Sequence, residues 1–187
     1  MNLLDDLSKI WKGIDYPFFI HRDKELRFSE VVSRKYIDLS KVKKGDVVAI
    51  IGDFNPTSIL TLLRLIDMGA IVVPLTAETK HEHEYFFESA FVDVVIEENQ
   101  VMRKTSNYKH ELIEKLREKE HSGLVLFSTG TTGRPKAILH DLSHFIKRFY
   151  TPRPTFITIN FLLFDHIGGI NTLLHTLFNK GVVVIPE

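Results

Sequence analysis

The 187-residue sequence contains no cysteine. That excludes a disulfide framework, a thiol nucleophile and a zinc–thiolate centre. An excess of charge of one sign is also missing, since Lys+Arg and Asp+Glu number 24 each. Nothing in that balance points to nucleic acid or to an anionic membrane surface. The most apolar stretch, residues 156–164, is far too short to span a bilayer and is interrupted by Thr158 and Asn160. Residues 1–11 carry two aspartates in place of a basic segment followed by an apolar one. No signal peptide is visible, and a cytoplasmic location is expected. Internal repeats, low-complexity tracts and Gly/Ser/Pro linkers are absent as well.

What is there is the composition of a protein with a sizeable core, 44% apolar and 26% charged. β-Branched runs at 47–51, 71–75 and 92–96 alternate with helical periodicities at 56–68 and 81–90. That order predicts an α/β fold, a mostly parallel sheet with helices on both faces. Around it the pattern predicts an opening helix over 3–11, a strand at 18–21 and a helix capped by Ser29. Residues 99–108 are polar and read as a loop. Residues 109–119 read as a solvated helix that turns Leu112, Ile113 and Leu116 inward. A buried strand is expected over 156–163, then a helix carrying Ile170, Leu173, Leu174 and Leu177. Residues 182–185 have strand character with nothing after them to continue the sheet. Such an unpaired edge invites a second copy, so a homodimer through it is expected.

Between two short apolar runs, 123–127 and 137–139, lies STGTTGRPK, residues 128–136. Glycines let the backbone bend and approach a ligand closely. Successive free N–H groups in such a bend make a concave anion site, and hydroxyls add donors. Lys136 supplies a point charge on a flexible stem, which suits a polyphosphate. A Walker A loop is excluded, because Gly133 is followed by Arg134-Pro135-Lys136 and no hydroxyl follows the lysine. Two short strands with no helical signal after the loop predict a hairpin over 123–142 that projects residues 128–136 from the edge of the sheet.

These nine residues resemble the phosphate-binding signature of the adenylate-forming superfamily, which holds acyl- and aryl-CoA ligases, luciferases and peptide-synthetase adenylation domains. Residues 26–31 (LRFSEV), 65–75 (LIDMGAIVVPL) and 163–181 are similar to further segments of those enzymes, in the same order. The resemblance implies that residues 1–187 are the first part of a large N-terminal domain. The later part, the C-terminal domain and their Mg²⁺-binding glutamate, ribose-binding aspartate and catalytic lysine are then absent. The parent would be an ATP-dependent, carboxylate-activating ligase. It would use ATP with Mg²⁺ to make an acyl-adenylate from a small-molecule carboxylate, then form a thioester with CoA or a carrier-protein pantetheine. The fragment alone is expected to be inactive. By the same resemblance Ser128, Thr129, Thr131 and Thr132 would donate to the β- and γ-phosphates. Gly130 and Gly133 would let the loop fold over them, and Lys136 would support its anchored end.

The resemblance also assigns Asp165, His166, Gly168 and Gly169 to the segment that enters the acyl pocket. His166 is similar to the histidine that follows an aromatic in CoA ligases, displaced by one residue. Asp165 is similar to the aspartate that follows phenylalanine in peptide-synthetase domains and holds an amino group. The Gly168-Gly169 pair leans towards the CoA-ligase pattern. The competing reading is that Asp165 only caps the next helix. No metal ligand is assigned. His81 and His83 are two apart, point different ways on a helix and read as solvated. His140 and His144 are four apart, but His140 falls at a strand end and HExxH is missing. The alternative to an enzyme is a naturally short, non-catalytic module that binds a nucleotide or a partner.

Overall fold

The computed structural model describes residues 2–22, 24–33, 37–104, 109–128 and 133–186. In chain order its strands are β1 (Phe19–His21), β2 (Lys24–Leu26), β3 (Val47–Ile51), β4 (Ile71–Leu75), β5 (Val94–Glu97), β6 (Gln100–Arg103), β7 (Gly123–Phe127), β8 (Ala137–Asp141), β9 (Ile157–Ile159) and β10 (Val182–Ile185). The α-helices are α1 (Leu3–Ile10), α2 (Phe28–Ser33), α3 (Pro56–Asp67), α4 (His83–Ser89), α5 (Glu111–Glu118), α6 (Leu142–Phe145) and α7 (Ile167–Phe178).

β3, β4, β5 and β7 are apolar along nearly their whole length, as strands covered on both faces must be. They pair in parallel in the order β5-β3-β4-β7, with β6 and β8 antiparallel on the outside. Because side chains alternate along a strand, each run feeds two cores. Val48, Ile50, Val72, Val94, Ile96, Leu124 and Leu126 pack with residues of α1, α3 and α7 on one side. Val47, Ala49, Ile71, Val73, Val95 and Val125 meet Phe86 and Phe87 of α4 and Ile113 and Leu116 of α5 on the other. The expected α/β arrangement is found, and so is the hairpin, β7–β8 at the sheet's edge.

A second sheet, β2-β1-β10-β9, corrects two expectations. β10 is an interior strand, paired in parallel with both β1 and β9. The unpaired final edge, and with it the reason for a homodimer there, is not found. The strand expected over 156–163 is only β9, an edge strand whose Ile157 and Ile159 are exposed. β1 lies about one chain length away in sequence, so no local pattern announces that it meets β10.

Local corrections have local causes. Residues 98 and 99 take φ of 47° and 67°, the left-handed pair of a two-residue hairpin. The segment read as a loop therefore contains β6. Ser29 lies inside α2, and the Arg27 N–H is held by Glu30 at 3.0 Å. Leu112 is exposed, while Ile113 and Leu116 are buried. His83 is buried, not solvated, with Nε2 2.9 Å from the Thr76 carbonyl. Among the described residues no helix is long and apolar enough to cross a membrane.

β6 is tied to the rest by a two-pronged ion pair. Arg103 reaches the two Asp46 oxygens at 2.7 and 3.0 Å, and the Lys43 N–H donates to the same carboxylate at 2.8 Å. Asp46 is buried. Asp46→Ala removes all three contacts and leaves the Lys43 N–H without its acceptor, so a loss of about 1–3 kcal/mol is expected. Urea denaturation should show a lower midpoint with an unchanged slope; a midpoint equal to wild type would refute this role.

Candidate functional site

β7 and β8 run in register from Gly123↔Asp141 to Phe127↔Ala137. One further rung closes the turn. The Ser128 N–H donates to the Lys136 carbonyl at 3.0 Å, and the Lys136 N–H donates to Ser128 Oγ at 3.2 Å. Thr129, Gly130, Thr131 and Thr132 lie outside the described residues. Gly133 is exposed, and a Cβ there would touch nothing. Lys136 is exposed and pairs with no carboxylate among the described residues. Its ammonium is therefore available to an anion.

Helix α4 props the turn from outside. Tyr85 Oη donates to the Pro135 carbonyl at 2.8 Å, and the Arg134 guanidinium lies 5.2 Å from the Tyr85 ring centroid. Phe86 stacks on Phe127 with centroids 4.1 Å apart. The sequence pattern marks residues 81–90 only as a helix and Phe127 only as part of a strand. The sole signal for these aromatics was the Tyr85-Phe86-Phe87 run, which is ordinary core material until the fold sets it beside the hairpin.

Asp165 is held at the same edge of the sheet. Thr76 directly follows β4, and its hydroxyl donates to Asp165 Oδ2 at 3.3 Å. The Thr76 carbonyl also accepts from Thr79 Oγ1 at 3.1 Å and lies against His83. β4 and β7 pair as Ile71↔Gly123 and Val72↔Leu124. Counted along that register, Thr76 stands level with Ser128. The β4–β7 ladder ends at Val72, two residues before Pro74, which has no N–H to offer. Burial pushes the Asp165 carboxyl above its ordinary range; its hydrogen bonds, including that from Thr76, and the nearby His166 oppose this without cancelling it, and Glu78 adds to it.

Asp165 does not cap α7. His166 does, with extended backbone and Nδ1 accepting from the Gly168 N–H at 3.3 Å. The glycine pair has packing reasons. A Cβ on Gly168 would fall 2.5 Å from Leu162 Cδ1, and one on Gly169 2.7 Å from the Leu163 carbonyl oxygen and 2.8 Å from the Phe54 ring. Phe54 in turn meets Phe164 edge-on at 5.4 Å. Gly169 is thus buried under the turn, whereas Asp165 and His166 stay partly open.

No protein-family profile matches the chain. Bacitracin synthase 1 of Bacillus licheniformis is 21% identical over 141 residues, 70% of this chain and 3% of that protein. The N-terminal subdomain of Klebsiella oxytoca NpsA in complex with 3-hydroxyanthranilyl-AMSN superposes with a TM-score of 0.74 at 17% identity, over 100% of this chain and 54% of that one. The o-succinylbenzoate CoA synthetase MenE of Bacillus subtilis, in complex with OSB-AMP, gives 0.69 at 16% identity, over 98% and 56%. The chain thus has the fold found in the N-terminal subdomains of adenylation enzymes, and it spans about half the length of these solved structures.

The raised Asp165 carboxyl sets a sign. The folded state holds this proton more tightly than the unfolded state, so the ionised group costs stability once pH passes above the carboxylate range. Asp165→Asn keeps an acceptor for Thr76 and removes the charge. It should melt higher than wild type at pH 7, and the gain should fade as pH is lowered through the carboxylate range. An equal melting difference at pH 7 and at pH 3 would contradict this account.

Proposed function

We propose that the chain is part of an enzyme that activates a small carboxylic acid with ATP. A carboxylate oxygen attacks the α-phosphorus, the bond to the pyrophosphate oxygen breaks, and an acyl-adenylate forms. The observation that carries this reading is one juxtaposition. The turn closed by Ser128 and Lys136 and the Asp165 carboxylate share the carboxyl edge of one parallel sheet, where open α/β sheets receive ligands. The fold it shares with adenylation enzymes supports the same reading.

In this proposal Ser128, Gly133 and Lys136 stand at the margins of the nucleotide grip, and Thr129, Gly130, Thr131 and Thr132 fill it. Lys136 neutralises charge on the departing pyrophosphate. Such chemistry depends mainly on positioning and electrostatic stabilisation. Asp165 would accept from an amino group on the acid being activated, because a half-buried carboxylate gains from an opposite charge. His166, tied to the first turn of α7, and Gly168 and Gly169 would shape the floor beside it. Magnesium and the acceptor thiol, of CoA or of a carrier pantetheine, belong to the same proposal. They would draw on the half of the relatives' fold that this chain does not span.

Titration of the purified chain with MgATP should show binding, and Lys136→Ala should weaken it about tenfold, the worth of one charge-assisted contact to phosphate. An unchanged affinity would remove the loop from the nucleotide site. Exchange of labelled pyrophosphate into ATP, across acids with and without an amino group, should stay below detection with this chain alone. Several groups that orient and neutralise the α-phosphate are missing together, and each is typically worth about 10²–10³ in rate. Exchange dependent on one of those acids would show that 187 residues suffice.

A further inference from the structure

The β7–β8 hairpin has a second end, opposite its loop. There Asp141 is the last residue of β8 and the cap of α6, and its Oδ1 accepts the His144 N–H at 3.2 Å. Its other oxygen, Oδ2, lies 2.9 Å from His121 Nδ1 and 2.8 Å from His144 Nδ1. His121 stands two residues before β7, beside Asp141 because Gly123 pairs with Asp141. The two rings meet edge-on at 5.5 Å. All three donor atoms lie within 4.8 Å of one another. An ionised carboxylate only accepts, so each imidazole presents Nδ1–H to it. Burial alone would raise the Asp141 carboxyl, but the two histidines outweigh it and hold the group below its usual range.

We propose that His121, Asp141 and His144 form a binding site for a divalent transition-metal ion of the zinc class. Two imidazole nitrogens and one carboxylate oxygen are the donor set that zinc, cobalt and nickel take from proteins, and harder cations prefer oxygen alone. At metal–ligand bonds of about 2.0–2.1 Å, tetrahedral ligand atoms stand roughly 3.3 Å apart. The two distances to Asp141 Oδ2 need to open by only about half an ångström, and the two imidazole nitrogens already lie within 4.8 Å of each other. His144 can supply that opening, because its side chain is 60% exposed. Asp141 cannot swing away, since Oδ1 is pinned to the backbone while Oδ2 is turned to the histidines; a partner of that kind fixes a ligand's orientation. On binding, each imidazole proton moves to Nε2 through solvent, and Nδ1 takes the metal. Three protein ligands leave a fourth position for water. The ion would clamp the start of β7, the end of β8 and the first turn of α6. It would lie roughly 14 Å from the loop end of the hairpin, at about 3.4 Å per residue, outside the proposed nucleotide site.

The test uses the whole chain, stripped with EDTA and titrated with Co²⁺, followed by visible absorption and then displacement with Zn²⁺. One equivalent of Co²⁺ should give the absorption of a four-coordinate site, and Zn²⁺ should abolish it. Mg²⁺ should not. Zn²⁺ should raise the melting temperature of the wild type and leave that of His144→Ala unmoved. His121→Ala, His144→Ala and Asp141→Asn should each weaken the metal at least about tenfold. His144 is largely exposed, so its variant should fold, and circular dichroism will show whether it does. A wild-type chain that takes up no stoichiometric Co²⁺ and gains no stability from Zn²⁺ holds a hydrogen-bonded triad only, and the proposal falls. Uptake that persists unweakened in both histidine variants would place the ion on other histidines and overturn it equally.

Discussion

Four parallel strands buried on both faces can satisfy their backbone only within the sheet, through one another and through β6 and β8, and their side chains offer almost nothing polar. Polar groups therefore gather beyond the two ends of those strands, and the candidate nucleotide site lies at the carboxyl end. Gly52 after β3, Thr76 after β4 and Ser128 after β7 all leave the sheet at the same carboxyl edge. The candidate site is a consequence of that shared direction. Thr76 shows how strongly the edge concentrates polar contacts, since its hydroxyl and carbonyl between them engage Asp165, Thr79 and His83.

The turn that brings Asp165 to this edge rests on close packing. With a side chain on Gly169, α7 could not settle against Phe54 and the Leu163 carbonyl. The helix would have to move outward and take His166 and Asp165 with it. Steric fit therefore decides where the carboxylate stands, and burial then raises its affinity for a proton. A group kept at an electrostatic cost in a tightly packed turn is what a binding site for a cationic partner would look like from the protein's side.

The β7–β8 hairpin carries a proposed site at each end of a single register. At one end Ser128 and Lys136 pair backbone to backbone and backbone to hydroxyl, while Tyr85 and Phe86 of α4 meet Pro135 and Phe127 beside them. At the other, His121 and His144 converge on Asp141.

The sequence by itself determined the alternation of buried strands and helices and the hairpin at the edge of the sheet, and it singled out residues 128–136 by their composition. These are local facts, written in side-chain period and in the crowding of glycines, hydroxyls and a lysine. It also singled out Asp165 and His166, though not that His166 takes the capping role. The tertiary structure alone decided the second sheet, because β1 and β10 meet across most of the chain. It alone showed the interior place of β10, the exposure of β9 and the burial of His83. The β6 strand was hidden because its turn uses Glu98 and Asn99, without the glycine that usually marks positive φ. His121, Asp141 and His144 were invisible as a group for a related reason. Twenty residues separate the first two, and only the antiparallel register of β7 and β8 brings their donor atoms together.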